Sequence, residues 1–334
     1  MVFDFMFFCL QFKVVQRKRR RTGQKDPEIV TAEVTDDRKF NCVARCSLKE
    51  LAKCFKLLKP RHMSLLEEAG IAYLKDLKIN GNINRRLICF LMYRIDPGTM
   101  IMDLGDGDKK LQITPDLIEK LFGLPRGNKS APRPSDSGHD KALMDLKEEL
   151  GMERKKQIKT DDLRKLLATL VEDELKDALA MKIFAIILYN KFICPGYSIR
   201  VEREAAMVEN FDIVKLKELD LCKLLYDELK RAVLIWHESP NTEWKAIPGC
   251  CIAPLLIHLD CIDDRKYSPK DKRIPRAMHL NPTNLIILAE KDCLKPGDRR
   301  PDSWFYGKLP VSNLFTVCIY LCYIFLILFL YPCV

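Results

Sequence analysis

From Leu309 to Val334 the chain carries no charged side chain, and Leu314 to Tyr331 is almost unbroken Leu, Ile, Phe, Val, Tyr and Cys. Such a run approaches the ~20 apolar residues with which a helix crosses a bilayer, satisfying its own backbone polar groups as it does so. Its length and lack of charge favour a spanning helix over a buried core helix. Arg299, Arg300 and Lys308 lie on its N-terminal side and Tyr331 near its far end. Because basic residues flank the side that stays behind, the expectation is a single C-terminal span over residues 311–334. The lipid bilayer is then a partner, and the preceding domain faces the cytosol or nucleoplasm. A translated intron would produce the same abrupt change of composition, and without the tail the expected location is the nucleus.

The rest of the 334 residues must form a globular body, since 48% hydrophobic content exceeds what a disordered chain carries. The net charge of +10 is local in origin. Arg17, Lys18, Arg19, Arg20 and Arg21 form one run near the start, while acids and bases interleave through the middle. That run reads as a nuclear import signal, a phosphate contact or a solvated basic arm. Met1 to Phe12 is apolar, but Asp4 interrupts it and the basic run follows it, the wrong order for a secretory signal. Residues 1–40 are therefore expected to be a basic disordered arm. The 14 cysteines include no CxxC pair, so reduced thiols acting as small core residues are favoured over a metal or disulfide framework.

The interior reads as mainly α, a multi-helix globular domain with one small β-hairpin. Ser47 and Glu50 have capping-box spacing before Leu51, Phe55 and Leu58, and Pro60 marks a stop; Ser64 and Glu67 repeat the device. A third helix is expected over Arg85–Tyr93. Apolar runs on either side of Gly105-Asp106-Gly107-Asp108 predict a hairpin over 100–113. Thr114 as N-cap, Pro115 at the first helical position and Gly123 at the end bound the next helix. Residues 41–124 then form an N-terminal helical part. Residues 125–140, rich in Pro, Gly, Ser, Asn and Asp, form a linker, and 141–310 a C-terminal helical part. Helical spacing recurs over 143–150, 163–170, 175–192 and 216–236. Ala178–Leu188 should be a central buried helix, Gly249–Ile262 another, and the segment from Pro269 to Pro310 loop-rich.

The chemical motifs mostly fail. Asp103, Asp106 and Asp108 lack the alternating oxygen ligands of a calcium loop. Gly105 and Gly107 lack the third glycine and following helix of a dinucleotide loop. His258 with Asp260 is the nearest candidate for a Cys–His site, but both lie on an apolar helix where a satisfied core histidine is the better reading. His62, His139 and His279 fall in loop-like contexts and His237 at a helix end, without metal-ligand spacing. No catalytic, cofactor-binding or metal-binding residue is assigned, and no cofactor is expected.

Ordered blocks of residues nevertheless carry a likeness. Asn84-Arg85-Arg86-Leu87 with Asp96-Pro97 leads to Leu111-Gln112-Ile113-Thr114-Pro115 and then Leu121-Phe122-Gly123-Leu124-Pro125-Arg126-Gly127. Phe192-Ile193-Cys194-Pro195, Ile247-Pro248-Gly249-Cys250-Cys251 with Leu259-Asp260, Arg273-Ile274-Pro275-Arg276 and Phe305-Tyr306-Gly307-Lys308-Leu309 follow in order. Over roughly residues 40 to 310 the chain resembles the aminotransferase-like plant mobile domain proteins, and the similar regions that precede plant ubiquitin-like-specific cysteine protease domains. The resemblance implies a helical module without transaminase chemistry. Asp292-Cys293 is followed by Leu294 where the protease pattern has glycine, and no His-Trp pair precedes it, so no protease residue is carried over. The expected function is a non-catalytic interaction module with an unknown protein partner. A truncated or divergent cysteine protease and a nuclear, nucleic-acid-associated protein of mobile-element origin are the alternatives.

Overall fold

A computed structural model describes residues 41–79, 84–104, 109–131, 139–153, 158–195, 207–208, 211–239, 244–294 and 306–311. The basic run Arg17–Arg21, the hairpin turn 105–108, residues 132–138 and the apolar run 314–331 lie outside the described residues. Among the described residues no helix is long and apolar enough to cross a membrane.

The fold is mainly helical. Its helices are α1 (Leu48–Phe55), α2 (Pro60–Glu68), α3 (Arg85–Arg94), α4 (Pro115–Phe122), α5 (His139–Glu149), α6 (Thr160–Leu170), α7 (Asp177–Leu188), α8 (Leu221–Glu238), α9 (Ile252–Cys261), α10 (Arg276–His279) and α11 (Pro282–Lys291). Among the described residues four short strands accompany them: β1 (Asn41–Ala44), β2 (Ile101–Asp103), β3 (Lys110–Gln112) and β4 (Trp244–Ile247). β2 and β3 make the expected antiparallel hairpin, with Met102 opposite Leu111. The pairing of β1 with β4 was not expected. It is parallel, Asn41 opposite Trp244 and Ala44 opposite Ile247, and ties the first described residues to the segment that leads into α9.

Among the described residues three helices, α2, α4 and α11, start with proline at the first position, where the missing N–H costs nothing and the fixed φ is already helical. At α4 the cap, the proline and the closing glycine are all used as the sequence predicts. The Thr114 hydroxyl accepts from the Leu117 N–H at 3.1 Å, and Gly123 closes the helix in the left-handed region at φ 66°. A side chain at Gly123 would also strike Pro275 Cγ, 2.4 Å from an ideal Cβ. At α2 the expectation needs correction. Pro60 begins this helix as well as ending the stretch before it, so Ser64 sits inside the helix and its hydroxyl donates to the Pro60 carbonyl at 3.2 Å. The capping box at Ser47 is not formed either. The Ser47 backbone N–H donates to the Lys191 carbonyl at 2.8 Å, and Glu50 accepts from Lys53 at 2.6 Å. At Pro282 a helix opens within the stretch that its prolines predict to be loop-rich. Asn281 caps α11, its side chain accepting from the N–H groups of Thr283 at 2.9 Å and Asn284 at 3.2 Å.

The core is built around α7, in which every residue from Ile183 to Leu188 is buried. Phe184 meets Phe55 edge-on at 5.0 Å between ring centroids, Phe192 meets Phe122 likewise at 5.0 Å, and Tyr93 packs on the fully buried Trp236 at 5.2 Å. The expected helix over 175–192 is segmented. A 3₁₀ turn (Glu174–Lys176) precedes α7 and a π-turn (Tyr189–Ile193) follows it. Pro125–Lys129, the start of the stretch read as a linker, is hydrogen-bonded to residues 218–221. Gly127 N–H donates to the Leu219 carbonyl at 3.0 Å, and Asp220 N–H to the Lys129 carbonyl at 2.8 Å. The approach is so close that a Cβ on Gly127 would lie 1.9 Å from the Glu218 carbonyl carbon, which only glycine avoids. Both flanks of the stretch contribute to the same hydrophobic core.

Candidate functional site

α9 is apolar enough that all ten of its residues are buried, and it carries His258 and Asp260 into the interior. The two side chains do not meet as a pair. His258 Nε2 lies 2.9 Å from Asp292 Oδ2, at the C-terminal end of α11, with both side chains fully buried. Asp292 also accepts from the backbone N–H of Gly307 at 2.9 Å and of Leu309 at 2.9 Å. Burial pushes the Asp292 carboxyl upward, but His258 and the two backbone donors together hold it below the ordinary carboxylate range. An ionised acceptor makes Nε2 of His258 the protonated nitrogen. Its Nδ1 has no hydrogen-bond partner among the described residues.

Asp260 turns to the other side of α9 and takes a two-pronged ion pair from Arg276. Arg276 Nε donates to Oδ2 at 2.8 Å and Nη2 to Oδ1. Only 5% of the Arg276 side chain and 2% of Asp260 are exposed. The remaining guanidinium nitrogen donates to the Asp271 carbonyl, so each of the three nitrogens has an acceptor.

A third pair joins residues that no local pattern links. His62, read as a loop residue, is fully buried in α2, with Nε2 2.7 Å from Asp177 Oδ1 at the start of α7. The Lys59 backbone N–H donates to Nδ1 at 3.1 Å, which makes Nε2 the protonated nitrogen here too. Arg61 Nε donates to the other oxygen of Asp177 at 2.8 Å, and its Nη2 to the Val171 carbonyl at 2.7 Å. The Asp177 carboxyl, which burial would raise, is held low by Arg61 and His62. His237 shares its Nε2 proton between the carbonyls of Met92 and Ile95, each at 3.1 Å.

These arrangements share one chemical consequence. A His–carboxylate pair can activate a nucleophile only if the second ring nitrogen reaches one and substrate can reach both. At His258 that nitrogen faces the interior, and at His62 it is occupied by a backbone donor. Seven of the nine cysteines whose side chains are described are buried, Cys46 and Cys293 being partly exposed, and burial pushes the thiols of Cys54 and Cys222 up to about 12, so neither of these two carries a thiolate near neutrality. Among the described residues no disulfide forms, and no group of three His, Cys, Asp or Glu side chains converges to hold a metal ion. In the sequence Asp292 stands out only as the neighbour of Cys293. Its role as a helix-end acceptor becomes visible once α11 is recognised from Asn281-Pro282.

The geometry therefore defines a helical domain whose buried polar pairs fasten one element to another. The chain belongs to the family described as Domain of unknown function (DUF8566), which residues 44–255 match. No curated protein and no solved structure matches it.

Proposed function

We propose that this chain is a non-catalytic interaction module of the plant mobile-domain kind, held at a membrane by residues 311–334. The observation that carries the first part is the commitment of His258 and Asp292, the most protease-like juxtaposition among the described residues, to a fully buried link between α9, α11 and the 306–309 segment. A group so enclosed holds elements together and exchanges no proton with a substrate. The likeness to plant mobile domain proteins supports the same reading, since the blocks that carry it supply caps, turns and buried pairs. The second part rests on the uncharged run from Leu309 to Val334. Expressed in full in a eukaryotic cell, the chain should remain in the pellet when membranes are washed with alkaline carbonate, and should bring down specific proteins after mild detergent extraction. Release of the full chain by carbonate would overturn the anchor. Failure to recover any specific protein with the folded, extracted chain would overturn the interaction module.

A further inference from the structure

The link between β1 and β4 places two cysteines from distant parts of the chain side by side. The Arg45 N–H continues the parallel pairing by donating to the Ile247 carbonyl at 3.2 Å. Cys46 follows in the connection to α1 and Cys250 in the turn into α9. Their sulfurs lie 4.0 Å apart across 204 residues of sequence. Neither cysteine belongs to a helix or strand, so the approach to a bond length of about 2.05 Å needs adjustment of connecting segments only. Cys46 is partly exposed and Cys250 fully buried. We propose that Cys46 and Cys250 form a reversible disulfide under oxidation by a small disulfide, Cys46 acting as the attacking thiol and Cys250 as the resolving one.

The chemistry balances in two exchanges. Cys46 loses its proton to solvent and its thiolate attacks one sulfur of the oxidant, expelling a small thiolate that takes up a proton and leaving a mixed disulfide on Cys46. Cys250 then loses its proton and attacks the Cys46 sulfur, expelling the second small thiol. The cysteine pair gives up two electrons and the oxidant disulfide is reduced to two thiols. Contact with the Cys250 thiol and burial both hold the Cys46 proton on, raising that thiol well above its ordinary value. The Ile252 backbone N–H and the Lys191 ammonium act in the opposite sense. The exchange is therefore slow near neutrality and faster as pH rises.

The test uses the full chain in mild detergent, incubated with oxidised glutathione, with remaining thiols then alkylated and the digest read by mass spectrometry. The expected product is a Cys46–Cys250 linked peptide, lighter by two hydrogens than its parts and reversed by dithiothreitol. A rise of several degrees in the unfolding midpoint should accompany it, since the link closes a long loop. Cys46→Ser, at the partly exposed position, should abolish both signals, and Cys251→Ala should leave both in place. Recovery of Cys46 and Cys250 as alkylated thiols, of Cys46 as a glutathione adduct that goes no further, or of Cys46 linked to Cys251 instead, would overturn the proposal.

Discussion

Replacing Asp292 by alanine should destabilise the domain by about 3–5 kcal/mol, because it strips a buried acceptor from three donors at once. His258 Nε2 and the backbone N–H groups of Gly307 and Leu309 would all be left in the interior unpaired. The loss should extend beyond α11. Tyr306 packs on Phe90 at 5.4 Å between ring centroids, and the Gly307 carbonyl accepts from Lys109 at 2.6 Å, so release of this segment loosens α3 and the hairpin as well. Urea unfolding followed by circular dichroism would register the change as a lower midpoint. The pH dependence follows from the direction of the shift. The Asp292 carboxyl is held below its unfolded value of about 3.9, so its contribution is fully present above that pH. It is lost as pH falls through the depressed value, and the alanine variant should lack that part of the acid branch of the stability curve.

Arg276→Met should cost a similar amount, about 3–5 kcal/mol, because it leaves the Asp260 carboxylate in an apolar helix without its counter-charge. The double variant Asp260→Leu, Arg276→Met should recover much of that loss, since it removes the stranded charge together with its desolvation cost. Thermal unfolding of the two single variants and the double variant gives the comparison. If the double variant proves no more stable than Arg276→Met, the guanidinium acts through its contact with the Asp271 carbonyl and not through the carboxylate.

Much of this fold was legible because its signals are local. Thr114-Pro115 and Gly123 bound α4 by cap, fixed φ and left-handed closure, all written within the ten residues from Thr114 to Gly123. The same rule misled where a proline had two meanings. Pro60 and Pro282 were read as breakers, yet each opens a helix, and the deciding feature is the residue before the proline and the apolar spacing after it. What the sequence could not display was anything set by distance along the chain. β1 pairs with β4 across some 200 residues, and His258 finds Asp292 in place of the nearer Asp260. His62 finds Asp177 across 115 residues. Each of these is decided by how the helices stack, which periodicity does not encode. The basic run Arg17–Arg21 and the apolar run 314–331, the clearest features of the sequence, lie outside the described residues.

The central claim, that the buried polar pairs fasten the fold and perform no turnover, is tested most directly by incubating the full, detergent-solubilised chain with a ubiquitin-like protein conjugate and following release of the free modifier. The account predicts no release above the uncatalysed rate for the folded protein at any pH between about 5 and 9, the range in which a His–thiol pair would be active. Cleavage that disappears when one cysteine is changed to alanine, while the circular dichroism spectrum is unaltered, would contradict it.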